Sequence, residues 1–271
     1  MLNSFLQTDS IEIGTETIKS FREAEIIRLE SSSFLGFVGD VELIAPGTEL
    51  DTSDFGMSEF LHEKEQLFLR TVRAKNYRKS WFAGRLLAKS IRLQLERKNS
   101  NNHKQKNLSN LNYNQICITS RDSSNRLMKP VMFIENKADE SSFSISHIDS
   151  HAAVFFAKEK FLRIGCDLVE PNSITLNLQQ RYYKQSEIES INSDQNQFMK
   201  FHNERIWGVK ETAFKILGDN RTFKPEQWLT SYIENGWYKC TDTNSSTQKT
   251  ITVRTLIINN KILTISVDNQ S

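Results

Sequence analysis

The chain has 271 residues, with 35 Lys plus Arg against 33 Asp plus Glu and a formal net charge of +2. That length can bury a sizeable core as one large domain or two ordinary ones, and the near balance of charge argues against a dedicated nucleic-acid binder or an acidic tail. The start, MLNSFLQTDSIEIG, has no charged segment leading into an apolar core, no later apolar run is long enough to cross a bilayer, and Cys117, Cys166 and Cys240 are too scattered for a disulfide framework or a zinc site.

In the soluble, cytoplasmic protein this implies, the spacing of apolar positions sets the elements. The first sixty residues alternate apolar and polar positions in short runs, EAEIIRLE and FLGFVGDVELIA. These predict strands joined by turns at Gly36, Gly39 and Gly47. Residues 67–98 lack proline and are rich in Leu, Ala, Arg and Lys, which predicts one helix, or two stacked pieces, interrupted only by Gly84. Residues 99–115 are polar and asparagine-rich, and predict a loop or linker.

Strands are expected at QICITS, PVMFIE, HAAVFFAK and FLRIGCDLVE, the last two joined by a tight hairpin turn at Lys158, Glu159 and Lys160. Residues 174–200 are weakly amphipathic. Residues 204–217 predict a clear helix that Gly218 ends. The tail predicts antiparallel strands at WLTSYIENGWYKCT, TITVRTLII and ILTISV, with turns at ENG and NNK. This order of elements fits an α+β protein with two similar halves, although no repeat is visible in the sequence itself.

Three segments carry candidate chemistry: FSISH (143–147), IGCDLVE (164–170) and IWGVKETAFK (206–215). At about 100° per residue, a helix places Trp207, Glu211 and Lys215 on one stripe, with Gly208 beside them allowing another group to approach. Ile206, Val209, Ala213 and Ile216 fall on the opposite flank and suit burial. The plain alternative for Glu211 and Lys215 is a surface i, i+4 salt bridge worth roughly 0.2–0.5 kcal/mol. Asp167 sits inside an apolar run, where an unpaired carboxylate is costly to bury, so it needs a partner. Strand alternation puts it on the face of Gly165 and Val169, with Glu170 pointing the other way. One strand carboxylate and one helix carboxylate can hold a hard divalent cation. The competing reading is a carboxylate that caps backbone amides at a strand end.

The order and spacing of these segments resemble the 4'-phosphopantetheinyl transferase superfamily, especially its two-lobed surfactin-synthetase type. The resemblance covers residues 77–218, about half the chain. It runs from KNYRKSWFAGRLLAK through Lys129-Pro130, FSISH, GCDLVE and RYYKQSE to WGVKETAFK, which is similar to the family's W-x-x-K-E-A-x-x-K pattern. It implies two similar lobes, each an antiparallel sheet packed with helices, with one active site between them. The first lobe would span residues 1–160 and the second residues 161–271. It also implies transfer of phosphopantetheine from coenzyme A to a serine of an apo carrier protein, an acidic helical domain, with release of 3',5'-adenosine bisphosphate. Asp167 and Glu211 would hold magnesium, or manganese in its place, and Glu211 and Lys215 would act in catalysis. Lys89, Lys129, Ser146, His147 and Lys215 would contact coenzyme A. Many two-lobed members carry an acid two residues after the aspartate, where this chain has Val169, so Glu170 is left out of the site. A monomer is expected, with neither nucleic acid nor membrane as a partner.

The basic residues of the first helical region, among them Arg78, Arg85, Lys89 and Arg92 on one narrow stripe, admit three readings: a phosphate site, a carrier-facing surface or a solvated face. Together with Tyr77 and Trp81 they also frame a nucleic-acid reading, against which the balanced charge counts. The same acidic and basic residues would also suit a magnesium phosphohydrolase that attacks with water, or a noncatalytic protein that binds carrier domains.

Overall fold

The structure, a computed structural model, describes residues 10–19, 23–44, 57–100, 111–121, 127–193, 200–218, 221–244, 246 and 248–269. The chain opens with an antiparallel meander, β1 (Glu12–Lys19), β2 (Glu23–Glu30) and β3 (Phe34–Asp40). A helical turn, α1 (Val41–Ile44), follows where the sequence pattern predicts a continuing strand. Next come α2 (Met57–Phe60), α3 (Glu63–Thr71) and the long α4 (Lys75–Ser100). Strands β4 (Ile116–Arg121), β5 (Leu127–Ile134) and β6 (Lys137–Ala138) form a small sheet of their own. The hairpin of β7 (Phe143–His147) and β8 (His151–Ala157) returns to the opening meander and completes a five-stranded sheet in the order β1-β2-β3-β8-β7.

The second five-stranded sheet begins with β9 (Leu162–Val169), which is followed by α5 (Leu176–Tyr182), α6 (Gln185–Ser193) and α7 (His202–Leu217). Strands β10 (Trp228–Tyr232), β11 (Trp237–Asp242), β12 (Thr250–Ile258) and β13 (Lys261–Asn269) complete it in the order β10-β11-β12-β13-β9. All three sheets are antiparallel, so the fold is α+β.

Strand alternation sorts the core into layers. On β8, Ala152, Val154 and Phe156 face α4, while Ala153 and Phe155 face the second sheet. On β9, Ile164, Cys166 and Leu168 return that contact, which leaves Gly165, Asp167 and Val169 facing α7. The order is therefore helix, sheet, sheet, helix, with α4 and α7 outermost. Burying each large apolar side chain in these layers contributes roughly 1.5–3 kcal/mol.

Several expectations are corrected. Gly36 and Gly39 lie within β3, not in turns, and a Cβ at Gly36 would come within 2.0 Å of the Phe155 ring. Gly47 lies outside the described residues, as do residues 101–110 of the expected loop. The helical region does divide in two, but the break falls at residues 72–74, whereas Gly84 sits inside α4 against Ile145. Strands β8 and β9 do not form a hairpin. The turn at Lys158 to Lys160 instead carries the chain from one sheet to the other. The ENG and NNK turns do close hairpins, with positive φ at Asn235, Gly236, Asn259 and Asn260 as such tight turns require. Among the described residues, no helix is long and apolar enough to cross a membrane.

Candidate active site

The buried flank of α7, formed by Ile206, Val209, Ala213 and Ile216, packs on the second sheet. Two glycines set how closely it does so. A Cβ at Gly208 would lie 2.8 Å from the Thr264 methyl, and one at Gly165 would lie 2.8 Å from both Ile216 Cγ1 and the Thr212 carbonyl. The space beside Gly208 is thus filled by the sheet, not left for another ligand. This packing holds Trp207, Glu211 and Lys215 along the edge of α7, above the Asp167 face of β9.

Asp167 is 4% exposed and has the partners it needs. Its Oδ1 accepts from Lys215 Nζ at 2.8 Å and from Ser146 Oγ at 2.8 Å. Lys215 also donates to the Cys166 carbonyl at 2.8 Å. Lys215 is therefore paired across to the strand and does not form the simple i, i+4 bridge with Glu211. Glu211 Oε1 accepts from the Trp207 indole at 2.9 Å. Burial and the neighbouring Asp167 charge push the Glu211 carboxyl up to about 7. Burial opposes the Lys215 ammonium, but Asp167 and Glu211 outweigh it and push the group up to about 12.

His147, at the end of β7, shares Nδ1 with Ser80 Oγ of α4 at 3.0 Å and meets the Tyr77 ring edge-on at 5.2 Å. Burial, with Arg85 and Lys215 nearby, pushes the imidazole down to about 3 and keeps it neutral. A neutral ring can still donate from one nitrogen, and an arriving anion would favour its protonation.

Two cavities meet at His147, Glu211 and Lys215. The larger, about 660 Å³, is rich in aromatic rings, with Tyr77 and Trp81 from α4, Phe214 from α7 and Phe223 from the segment that follows it. Among the described residues five cationic side chains line it, Arg85, Lys129, Arg163, Lys215 and Arg221, against two carboxylates, Glu140 and Glu211, with Lys215 paired to Asp167 and Arg221 to Asp242. It is an anion-seeking pocket in a protein of nearly neutral charge. The smaller cavity, about 420 Å³, lies over Ser146, Asp167, Val169 and Trp207.

Of the residues expected at the site, Asp167, Glu211, Lys215, Ser146 and His147 converge, and Lys129 lines the large cavity while donating to the Ile216 carbonyl at 2.7 Å. Lys89 does not join them. It is 0% exposed, and its ammonium is held inside the protein by Glu65 and by the Phe60 carbonyl at 2.9 Å, away from both cavities. Its stripe faces inward: Arg92 pairs with Asp139, and Arg85 lies 4.2 Å over the Trp81 ring and donates to Ser120 at 2.9 Å. Arg85 is the member of that basic stripe that lines the cavity, beside Tyr77 and Trp81 of the same helix, and equal spacing along the stripe offers no means of choosing it over Lys89.

Arg163, Arg221 and Phe223 also line the cavity, and nothing in the sequence pattern points to them. Arg163 sits at the start of a strand and the other two in an irregular segment, so no periodicity marks them. Glu170 lines the smaller cavity but is tied to Lys261, and the Val169 side chain packs against Gly208, so Asp167 is the carboxylate of this strand that pairs with Lys215. Compared with known proteins, the chain matches no family model and no curated protein.

Proposed function

We propose that this chain is a magnesium-dependent 4'-phosphopantetheinyl transferase that moves the phosphopantetheine arm of coenzyme A onto a carrier-protein serine. The observation that carries the reading is the meeting of Asp167, Glu211 and Lys215, drawn from β9 and α7, at the wall of a cation-lined cavity large enough for a nucleotide-sized ligand. The sequence motifs predict that meeting from separate segments.

The donor set fits magnesium. Asp167 and Glu211 offer hard carboxylate oxygens, and one or two carboxylates is the number this ion commonly takes, its other positions going to water and phosphate. Burial first, and then the neighbouring Asp167 charge, raise the Glu211 pKa, and a divalent cation between the two carboxylates would relieve both. Among the described residues there is no larger acidic or histidine cluster to compete for it. When bound, the ion would neutralise charge on the pyrophosphate of coenzyme A. Lys215 faces the same cavity and can stabilise charge that develops on the transferring phosphoryl group. Glu211 lines the same cavity, and it or a metal-associated water would take the proton of the attacking serine hydroxyl. His147 can donate to a phosphate oxygen, while Arg85, Lys129 and Arg221 supply positive potential along the wall.

In this reading the two five-stranded sheets, each with one long helix, are two similar lobes with their site at the join, and the protein works as a cytoplasmic monomer. The test is incubation with coenzyme A, magnesium and a panel of apo carrier proteins, read by intact mass. At least one carrier should gain one phosphopantetheine group. No gain on any carrier, beside a working control transferase, would overturn the reading. Consumption of coenzyme A without a carrier would favour a hydrolase.

A further inference from the structure

The two five-stranded sheets meet along β7 and β9 through side chains. Strand β9 is the edge of its sheet, so alternate backbone N–H groups point away from β13 and need acceptors. Serines at every second position supply them: Ile164 N–H donates to Ser142 Oγ at 3.3 Å, Cys166 N–H to Ser144 Oγ at 3.1 Å, and Leu168 N–H to Ser146 Oγ at 3.1 Å. The sequence offset is 22 residues at each rung, so the rungs form a regular ladder. Ser144 and Ser146 are both buried.

Ser146 differs from the other two rungs in one respect, because its hydroxyl also donates to Asp167 Oδ1 at 2.8 Å. A serine hydroxyl has a single proton to donate. With that proton on Asp167 and one lone pair taken by Leu168 N–H, Ser146 has no donor left for a phosphate oxygen. We propose that Ser146 is a positioning residue for Asp167 and not a coenzyme A contact, whereas Ser144, a rung of the same ladder that lines the large cavity, does not touch Asp167 and has no part in holding the ion. The inference rests on the transferase reading for the identity of the ion that Asp167 holds. Partners that orient a metal-binding carboxylate through hydrogen bonds typically matter by about 10–100-fold in metal affinity or activity.

The experiment uses the full chain and two variants, Ser146→Ala and Ser144→Ala, with Mn2+ binding followed by electron paramagnetic resonance and coenzyme A binding followed by calorimetry in metal-free buffer. Ser146→Ala should weaken Mn2+ binding by roughly 10-fold or more and leave coenzyme A affinity within about twofold. Ser144→Ala should lower the melting temperature and leave Mn2+ affinity unchanged, because its hydroxyl does not touch Asp167. Loss of coenzyme A affinity in Ser146→Ala with Mn2+ binding intact would overturn the inference, as would a variant that binds both ligands like the wild type. An equal loss of Mn2+ affinity in Ser144→Ala would overturn the distinction between the two serines. The wild type separates this inference from the function it rests on: failure of the wild type to bind Mn2+ removes both, whereas a wild type that binds and transfers leaves only the role of Ser146 to the variants.

Discussion

The two long helices each carry a lysine with no solvent exposure, and the two are held in nearly the same way. On α4, Lys89 donates to Glu65 of α3 and to the Phe60 carbonyl, while Glu65 also accepts from Ile118 N–H of β4 at 3.1 Å and His62 N–H at 3.0 Å. On α7, Lys210 donates to Glu187 of α6 at 2.7 Å and to the carbonyls of Tyr182 and Pro225. Glu187 accepts from Thr230 N–H of β10 at 2.7 Å and Lys184 N–H at 2.8 Å. Each clasp ties a long helix to the short helix before it and the strand after it. What differs is the neighbouring turn. Beside Lys210 stand Glu211 and Lys215, which reach the cavities, whereas the turn before Lys89 delivers Arg85 to the cavity wall. A lysine inside a catalytic-looking motif can therefore be scaffold, and its position in the motif does not assign its role.

Breaking either clasp should have the largest effect on the fold. Lys89→Met and Lys210→Met each leave a buried glutamate without its counter-charge, and such a loss costs about 3–5 kcal/mol. Urea unfolding should show comparable losses for both. The paired changes Lys89→Met with Glu65→Leu should recover part of the loss by removing the unpaired charge, but not all of it, because the Ile118 and His62 N–H groups lose their acceptor. If that double variant folds yet no longer binds coenzyme A, Lys89 has a ligand role that its burial argues against.

Lys215 tests the other side of the comparison. Lys215→Ala removes the ammonium facing the large cavity, and turnover should fall by roughly 10²–10³-fold, as when one preorganised donor to a transition state is removed. Steady-state kinetics at saturating coenzyme A and magnesium measure it. Turnover within a few-fold of wild type would reduce Lys215 to the structural partner of Asp167.

Glu211→Gln should lose transfer activity without losing stability. Because the folded Glu211 carboxyl titrates near 7, above its ordinary 4.5, the folded protein holds that proton more tightly than the unfolded chain does. Wild-type stability from this group therefore declines as pH rises from about 4.5 to about 7 and levels off above that. The Gln variant should lack this decline and gain on the wild type across the same window, as read by urea midpoints in buffer free of divalent ions. Parallel pH profiles for the two proteins would mean that Glu211 titrates normally.

The sequence carries the site better than it carries the joints that hold it. Trp207, Glu211, Lys215 and Asp167 can be placed because helical and strand periods fix which side chains share a face. Periodicity cannot say which way a charged stripe points, and the family resemblance that singles out Lys89 as a ligand contact picks a residue that lies in the interior. Nor does it say which strands pair, so β8 and β9, adjacent in the chain, read as a hairpin although they belong to different sheets. Two rungs of the serine ladder stand in the FSISH segment itself, but their meaning depends on an edge strand 22 residues away. The recurrence of a glutamate 24 residues before Lys89 and 23 before Lys210 is also present, and it becomes a repeat only when both lysines are known to be buried.

The smallest expected effect belongs to Glu170, the acid that follows the last residue of β9. Glu170 lines the smaller cavity, but its carboxylate is paired with Lys261, away from the Lys215 ammonium that holds Asp167. Its side chain is 45% exposed, so the pair is worth at most about 1 kcal/mol, and solvent screening reduces that further. Val169, one residue earlier, is the side chain that shares the Asp167 face, and it is packed against Gly208 with no oxygen to offer. Water can fill the coordination position an acid would take there, because magnesium commonly keeps several waters. Glu170→Gln should therefore leave turnover and Mn2+ affinity within about twofold of wild type and shift unfolding by less than about 1 kcal/mol. Asp167→Asn should abolish transfer in the same assay. If Glu170→Gln were as inactive as Asp167→Asn while still folded, the strand would present its carboxylates in the other register, and Glu170, not Asp167 alone, would be the acid that faces the ion.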